Sequence, residues 1–313
     1  MNGRLFKVAF LHMNHGKNQS IPRDLEGLAR LGLRMPSRCF GAGFPGRAAL
    51  VLIAGILAAA CGKRDGTVTV TVTGSSTIAP LVADVAKRYE ESHPGVRIEV
   101  QSGGSSRGIS DATTGVADLG MVSRALKDEE KDKLTAHLLA ADGVCVVIHK
   151  DNPVRQLDKQ QLIDIYTKKI TNWKNLGGND ATIVVANKAE GRSTLEVFLH
   201  FLGLDNADVK ADVIVGENLH VINSVVSNPN TLGYVSIGTA SAEEKAGTPI
   251  KLVITGGIVP TMEAVRDGSF PITRPLNLVT DGKISPAAKA FLDYLTSAEI
   301  NDIIEKHFFV PVR

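Results

Sequence analysis

Twice in one short stretch, a run of alternating apolar residues meets a Gly/Ser turn and then a segment with helical periodicity. Val68-Thr69-Val70-Thr71-Val72 leads into Gly74-Ser75-Ser76-Thr77, and Val96-Arg97-Ile98-Glu99-Val100 leads into Gly103-Gly104-Ser105-Ser106. A period of two followed by one near 3.6 is a strand followed by a helix. Strands joined repeatedly through helices select an α/β sheet with crossover connections, whose ligands sit at the carboxyl ends of the strands. A third turn of the same make, Glu190-Gly191-Arg192-Ser193-Thr194, precedes another amphipathic stretch. A helix start presents unpaired N–H groups and the positive end of the dipole. Ser and Thr add hydroxyl donors, and Gly lets the backbone come close. Three such turns in one chain are expected to converge on a single oxyanion.

The rest of the chain continues the alternation. Ile78, Leu81, Val82, Val85, Ala86 and Tyr89 mark one helical face that stops at His93-Pro94-Gly95, and 117–122 is a short apolar strand ending in Ser123-Arg124. After a buried strand at 144–148, the turn Lys150-Asp151-Asn152-Pro153 reads as a crossing point. Beyond it come a helix at 157–166, Trp173 as core or hinge packing, a strand at 183–186 and a helix at 194–202. A strand at 232–237 carries the chain back. Strands at 250–254 and 276–280 and a final helix bearing Phe291, Leu292, Leu295 and Ile303 complete the pattern. Two α/β lobes with a ligand cleft between them are expected. Lobe 1 is 67–149 plus 240–313, and lobe 2 is 150–239.

Residues 1–61 read as a leader with a lipoprotein-type signal peptide. The uncharged apolar run 48–60, preceded by Arg38 and Arg47, is shorter than the roughly 20 residues a span requires and ends in Ala58-Ala59-Ala60-Cys61. Cys61 is the expected lipidation site, ordinary secretory cleavage is the alternative, and Met35 is a second candidate start. The leader holds eight Lys/Arg and two Asp/Glu, so the remaining 252 residues carry a net charge of −4 although the whole chain is +2. That balance gives no general field for nucleic acid, so an anion must be held by local geometry. Of three cysteines only Cys145 remains after the leader, which excludes a disulfide framework.

Enzyme readings fare less well. Gly104-Ser105-Ser106-Arg107-Gly108 fits the Gly-x-Ser-x-Gly elbow formally, with Asp293 and His307 in the right order for a hydrolase using Ser106. Too little sheet precedes it, however, and no His-Gly-Gly-Gly motif is present. The six histidines after the leader show no metal-ligand spacing, and there is no Walker A motif. No catalysis, cofactor or metal is expected.

Gly74-Ser-Ser-Thr-Ile-Ala-Pro80, Ser102-Gly-Gly-Ser-Ser-Arg-Gly108, Asp118-Leu-Gly-Met-Val-Ser-Arg124, Gly233-Tyr-Val-Ser-Ile-Gly238 and Arg274-Pro-Leu-Asn-Leu-Val-Thr280 together resemble the phosphate-binding solute receptors of bacterial phosphate ABC transporters. The likeness runs from about Thr67 to Arg313. It implies a type II periplasmic-binding-protein fold: two mixed sheets flanked by helices, with a hinge and an interlobe cleft. It also implies capture of inorganic phosphate at the periplasmic or extracytoplasmic face of the cell envelope, handed to ABC permease transmembrane subunits by a monomer tied to the membrane only through its lipid. By position it places the ligand against Ser76, Thr77, Ser105, Ser123 and the turn from Lys188 to Ser193 and Thr194. Ser106 belongs to the second of these turns. Arg192 and Arg124 are further candidates on charge, Arg192 because a cation at a helix start opposes the dipole unless an anion is bound there. A surface position for Arg192, and for Arg124 a carboxylate across the cleft, are the plainer alternatives. Two departures stand out. Gly191-Arg192-Ser193-Thr194 replaces Gly-Ser-Gly-Thr, with Lys188 where many members carry Arg. Ser123 also stands where some members have a proton-accepting Asp. Another tetrahedral oxyanion (sulfate, molybdate or tungstate) or a phosphate-sensing role is the alternative, and discrimination against sulfate is expected to be weaker than in Asp-bearing relatives.

Overall fold

The computed structural model describes residues 66–312; the leader 1–61 and its Cys61 lie outside the described residues. In chain order the elements are β1 (Val68–Gly74), α1 (Ala79–Ser92), β2 (Val96–Ser102), α2 (Ser105–Thr114), β3 (Leu119–Val122), α3 (Asp128–Lys131) and β4 (Thr135–His149). Next come β5 (Gln156–Leu157), α4 (Lys159–Tyr166), β6 (Val184–Lys188), α5 (Ser193–Leu202), β7 (Val213–Val215), α6 (Asn218–Ser227), β8 (Thr231–Ser236) and α7 (Ile237–Lys245). The chain closes with β9 (Ile250–Leu252), β10 (Ile254–Thr255), α8 (Met262–Arg266), β11 (Thr273–Thr280), α9 (Pro286–Leu295), α10 (Asn301–Lys306) and β12 (Val310–Pro311).

The main sheet is mixed and runs in the order β2-β1-β3-β11-β4-β8-β6-β7. β1 is parallel to β2 and β3, and β6 is parallel to β7 and β8, so two parallel groups lie apart in the order. β4 joins them. The first half of this 15-residue strand pairs antiparallel with β11, and its second half, from Val144, pairs with β8. At about 3.4 Å per residue it is roughly 50 Å long, long enough to serve both groups as the accumulated twist turns one away from the other. The two expected sheets are thus continuous through one shared strand. Only 144–148 is legible as strand in sequence, because 135–143 is rich in Ala and lacks β-branched residues after Thr135.

Two large hydrophobic cores flank this strand. The first gathers Val70, Val72, Leu81, Val85, Tyr89, Leu119, Leu278, Phe291 and Leu295. The α1 stripe supplies much of it, with Leu81, Val82, Val85, Ala86 and Tyr89 buried as their spacing requires. The second gathers Val144 to Ile148, Tyr166, Trp173, Phe198, Leu232 and Tyr234, together with Ile250, Val253, Phe270 and Ile272. Trp173 is a core residue there, and its indole N–H donates to the Asn230 carbonyl at 3.0 Å. Cys145 is wholly buried and free, and burial pushes its thiol well above the usual range, which leaves it inert. No helix among the described residues is long and apolar enough to cross a membrane.

Candidate functional site

Four strand-to-helix junctions open onto one small pocket. β1 runs into the 75–78 turn ahead of α1, and β2 runs through Gly103-Gly104 into α2. From the other core, β6 ends at Lys188 and leads to α5, and β7 leads through Gly216-Glu217 into α6. The lining is Ser75, Ser76, Thr77, Gly104 and Ser105 on one side, and Lys188, Arg192, Ser193, Thr194, Gly216 and Asn218 on the other. Within each group the parallel strands present their carboxyl ends, and hence the following helix starts, at one edge. The two groups run in opposite directions through β4, so these edges face each other across the pocket and gather the N–H groups and positive dipole ends of all four helices. Gly104 makes the close approach possible: its φ is +97°, and a Cβ there would stand 2.8 Å from the Gly191 carbonyl oxygen.

The hydroxyls are tied across the pocket. Ser105 Oγ donates to Ser193 Oγ at 2.9 Å and accepts from the Ser123 backbone N–H at 3.1 Å. Ser75 Oγ and Ser123 Oγ share a hydrogen bond. Arg274, on β11, bridges the two sides: Nη1 donates to Thr194 Oγ1 at 2.9 Å and Nη2 to Thr77 Oγ1 at 3.2 Å. Its charge is matched by Asp142, its cross-strand partner on β4, which accepts from Nε at 3.0 Å and from Nη2 at 2.8 Å. Both side chains are buried, at 1% and 0% exposure, so neither charge is left to be screened by water.

Lys188 is the contrasting cation. It is 2% exposed, and its ammonium donates to Asn218 Oδ1 at 3.0 Å. No carboxylate of the described residues lies within 4.0 Å of it. Burial pushes its pKa down to about 7; Glu217 opposes that shift, and Arg274 and Arg192 add to it. Arg192, at the cap of α5, packs its side chain over Gly104 and Gly216 and donates to Glu217 Oε1 at 2.7 Å. Burial favours the protonated form of Glu217, yet Ser76 and Arg192 outweigh it and hold the carboxyl below its usual range.

Seven of the ten residues singled out in sequence thus line one pocket: Ser76, Thr77, Ser105, Lys188, Arg192, Ser193 and Thr194. Three do not. Ser123 stands one bond behind the lining, against Ser75 and Ser105. Ser106 is exposed, its backbone N–H donating to the Gly191 carbonyl at 3.2 Å. Arg124 is bonded to both oxygens of Glu130, at 2.7 and 2.9 Å, and its Nε lies 3.1 Å from Glu196 of α5. It therefore takes the carboxylate pairing that was its plainer alternative. The hydrolase constellation is not assembled either, since His307 meets Asp84 and Asp293 meets Lys289. Sequence reading missed Ser75, Asp142, Glu217, Asn218 and Arg274. Ser75 and Arg274 lie inside quoted motifs, but nothing local marks which residue of a motif faces inward. Asn218 follows a Gly216-Glu217 start that carries no Ser/Thr signal.

Residues 61–299 match the model of the PBP superfamily domain. The phosphate-binding protein PstS of Bacillus subtilis (strain 168) is 30% identical over 258 residues, covering 80% of this chain and 83% of the relative. A Clostridium perfringens structure described as a phosphate ABC transporter substrate-binding protein with bound phosphate superposes with a TM-score of 0.74. It is 34% identical and covers 78% of this chain and 100% of that one. An ABC-type phosphate transport receptor from Vibrio cholerae superposes at 0.64, with 30% identity over 77% of this chain and 99% of the other. The chain belongs to the PBP superfamily and, within it, to the phosphate-binding protein PstS family.

Proposed function

We propose that this chain is a solute receptor that captures inorganic phosphate for an ABC importer. The observation that carries this reading is the pocket where four helix starts meet Lys188 and Arg192 between two cores joined by β4, with Arg274 bonded to two of the lining hydroxyls. Hydroxyls and backbone N–H groups replace the hydration that the anion gives up. Lys188, which has no carboxylate of its own, balances a charge that is otherwise costly to bury, while Arg192 and Arg274, each already paired with a carboxylate, add directed donors. Binding, with no bond made or broken, is the role this donor set supports.

The receptor works outside the cytoplasm, anchored through a lipid on Cys61, and delivers its ligand to the permease subunits. The lobes follow core membership, so 250–272 moves with the second core and β4 carries the hinge. The anion favours the closed form because contacts from both sides exist only there. Replacing Cys61 by Ala is expected to release the protein from membranes and abolish incorporation of labelled fatty acid.

No carboxylate of the described residues lines the pocket, which supports a second reading, that sulfate or molybdate is also accepted. Calorimetry on protein unfolded, stripped of ligand and refolded, titrated separately with phosphate, sulfate and molybdate, decides between them. Tight binding of phosphate is the expected result; heat from molybdate alone overturns it.

A further inference from the structure

Beside the pocket runs a second, larger cavity. It is a groove open to solvent and far larger than the pocket itself. The two share Ser76, Thr77 and Asn218 as lining, and the groove walls beyond include Pro80, Val100, Leu219 and Phe309. At the boundary Asn218 is 4% exposed, and both hydrogens of its amide are spent on the protein. Oδ1 accepts from Lys188 at 3.0 Å, while Nδ2 donates to Thr77 Oγ1 at 3.1 Å and to Thr239 Oγ1 at 3.2 Å. In this orientation Lys188 donates to the amide oxygen, as the protonated ammonium of the anion-bound form must. Asn218 has no hydrogen left for a ligand.

We infer that Asn218 is a specificity-determining partition: it walls the anion pocket off from the apolar groove and thereby excludes phosphate monoesters, whose organic arm needs that groove. Behind the amide the space is small and takes only a small, unsubstituted ligand. An ester oxygen carrying carbon cannot pass it without breaking hydrogen bonds that tie the two cores together, and the groups left unpaired and buried set the cost of doing so.

This rests on the phosphate reading of the pocket. The test is calorimetry with inorganic phosphate and with methyl phosphate, on the wild-type chain and on Asn218→Ala and Asn218→Ser. The wild type is expected to prefer phosphate by at least about 100-fold. Both substitutions are expected to narrow that gap at least tenfold, through a gain in methyl phosphate affinity that a merely damaged site does not give. If Asn218→Ala fails to fold, Asn218→Ser, which keeps an oxygen for Lys188, carries the test. A wild type that binds phosphate, with the gap unchanged in a folded variant, overturns the partition alone. A wild type that binds neither probe overturns the phosphate reading and the partition with it.

Discussion

The two sides of the pocket are built from the same strand-to-helix junctions yet offer an anion different things. The side formed by β1 and β2 contributes Ser75, Ser76, Thr77, Gly104 and Ser105, without a formal charge. The side formed by β6 and β7 contributes Lys188 and Arg192 beside its hydroxyls. Arg274 stands between them with a carboxylate of its own, whereas Lys188 has only an amide. Neutral donors offer the same hydrogen bonds at any pH. A buried ammonium without a counter-ion gives up its proton more readily, and an arriving anion favours holding it. One side therefore supplies fixed shape, and the other supplies charge that depends on the ligand.

The comparison breaks first at Arg274. Asp142→Ala leaves its guanidinium buried and unmatched, and is expected to cost about 3–5 kcal/mol of folding stability, read as a lower urea midpoint. Arg274→Met added to it should recover part of the loss, because the pair is then removed together. Lys188 gives the next effect. Its pKa is about 7 folded against 10.5 for the free side chain, so between those values the unfolded chain holds a proton that the folded chain has released. Ligand-free stability should therefore be lowest below pH 7 and rise by about 3 kcal/mol from pH 7 to 9.5. Lys188→Met should flatten that slope, and saturating phosphate should flatten it in the wild type. A slope that survives in Lys188→Met assigns the titration to another group and removes the contrast.

Smaller effects sharpen the division. Arg192→Ala should weaken phosphate binding by about 2 kcal/mol, measured by calorimetry at neutral pH; an unchanged dissociation constant places Arg192 in service of Glu217 alone. On the neutral side, Ser105→Ala should cost about 1 kcal/mol of affinity, the scale of one hydrogen bond, with no change in pH dependence. A pH-dependent loss there breaks the assignment of charge to the other side.

Much of this was legible before any coordinates. Strand–turn–helix periodicity exposed the α/β class, and three of the four converging junctions announced themselves by Gly, Ser and Thr. The α1 stripe is buried as its spacing implies. The fourth junction stayed hidden because Gly216-Glu217-Asn218 has an acidic cap and no hydroxyl. The extent of β4 stayed hidden because Ala-rich strand reads as nothing in particular, and pairing on both sides, by β11 and β12 and then by β8 and β9, is what makes it a strand.

What the sequence determined by itself was therefore local: which segments repeat at two or at 3.6, where helices begin, and which side chains can donate. What only the tertiary structure decided was pairing at long range. Arg124 and Arg274 are both charged residues within quoted motifs, yet one is held by Glu130 and Glu196 and the other reaches the pocket from beside Asp142. Residues 132 positions apart meet across β4 and β11 through register alone. Charge is a property of one residue, but whether that charge is matched, buried or free to meet a ligand depends on which strands lie side by side.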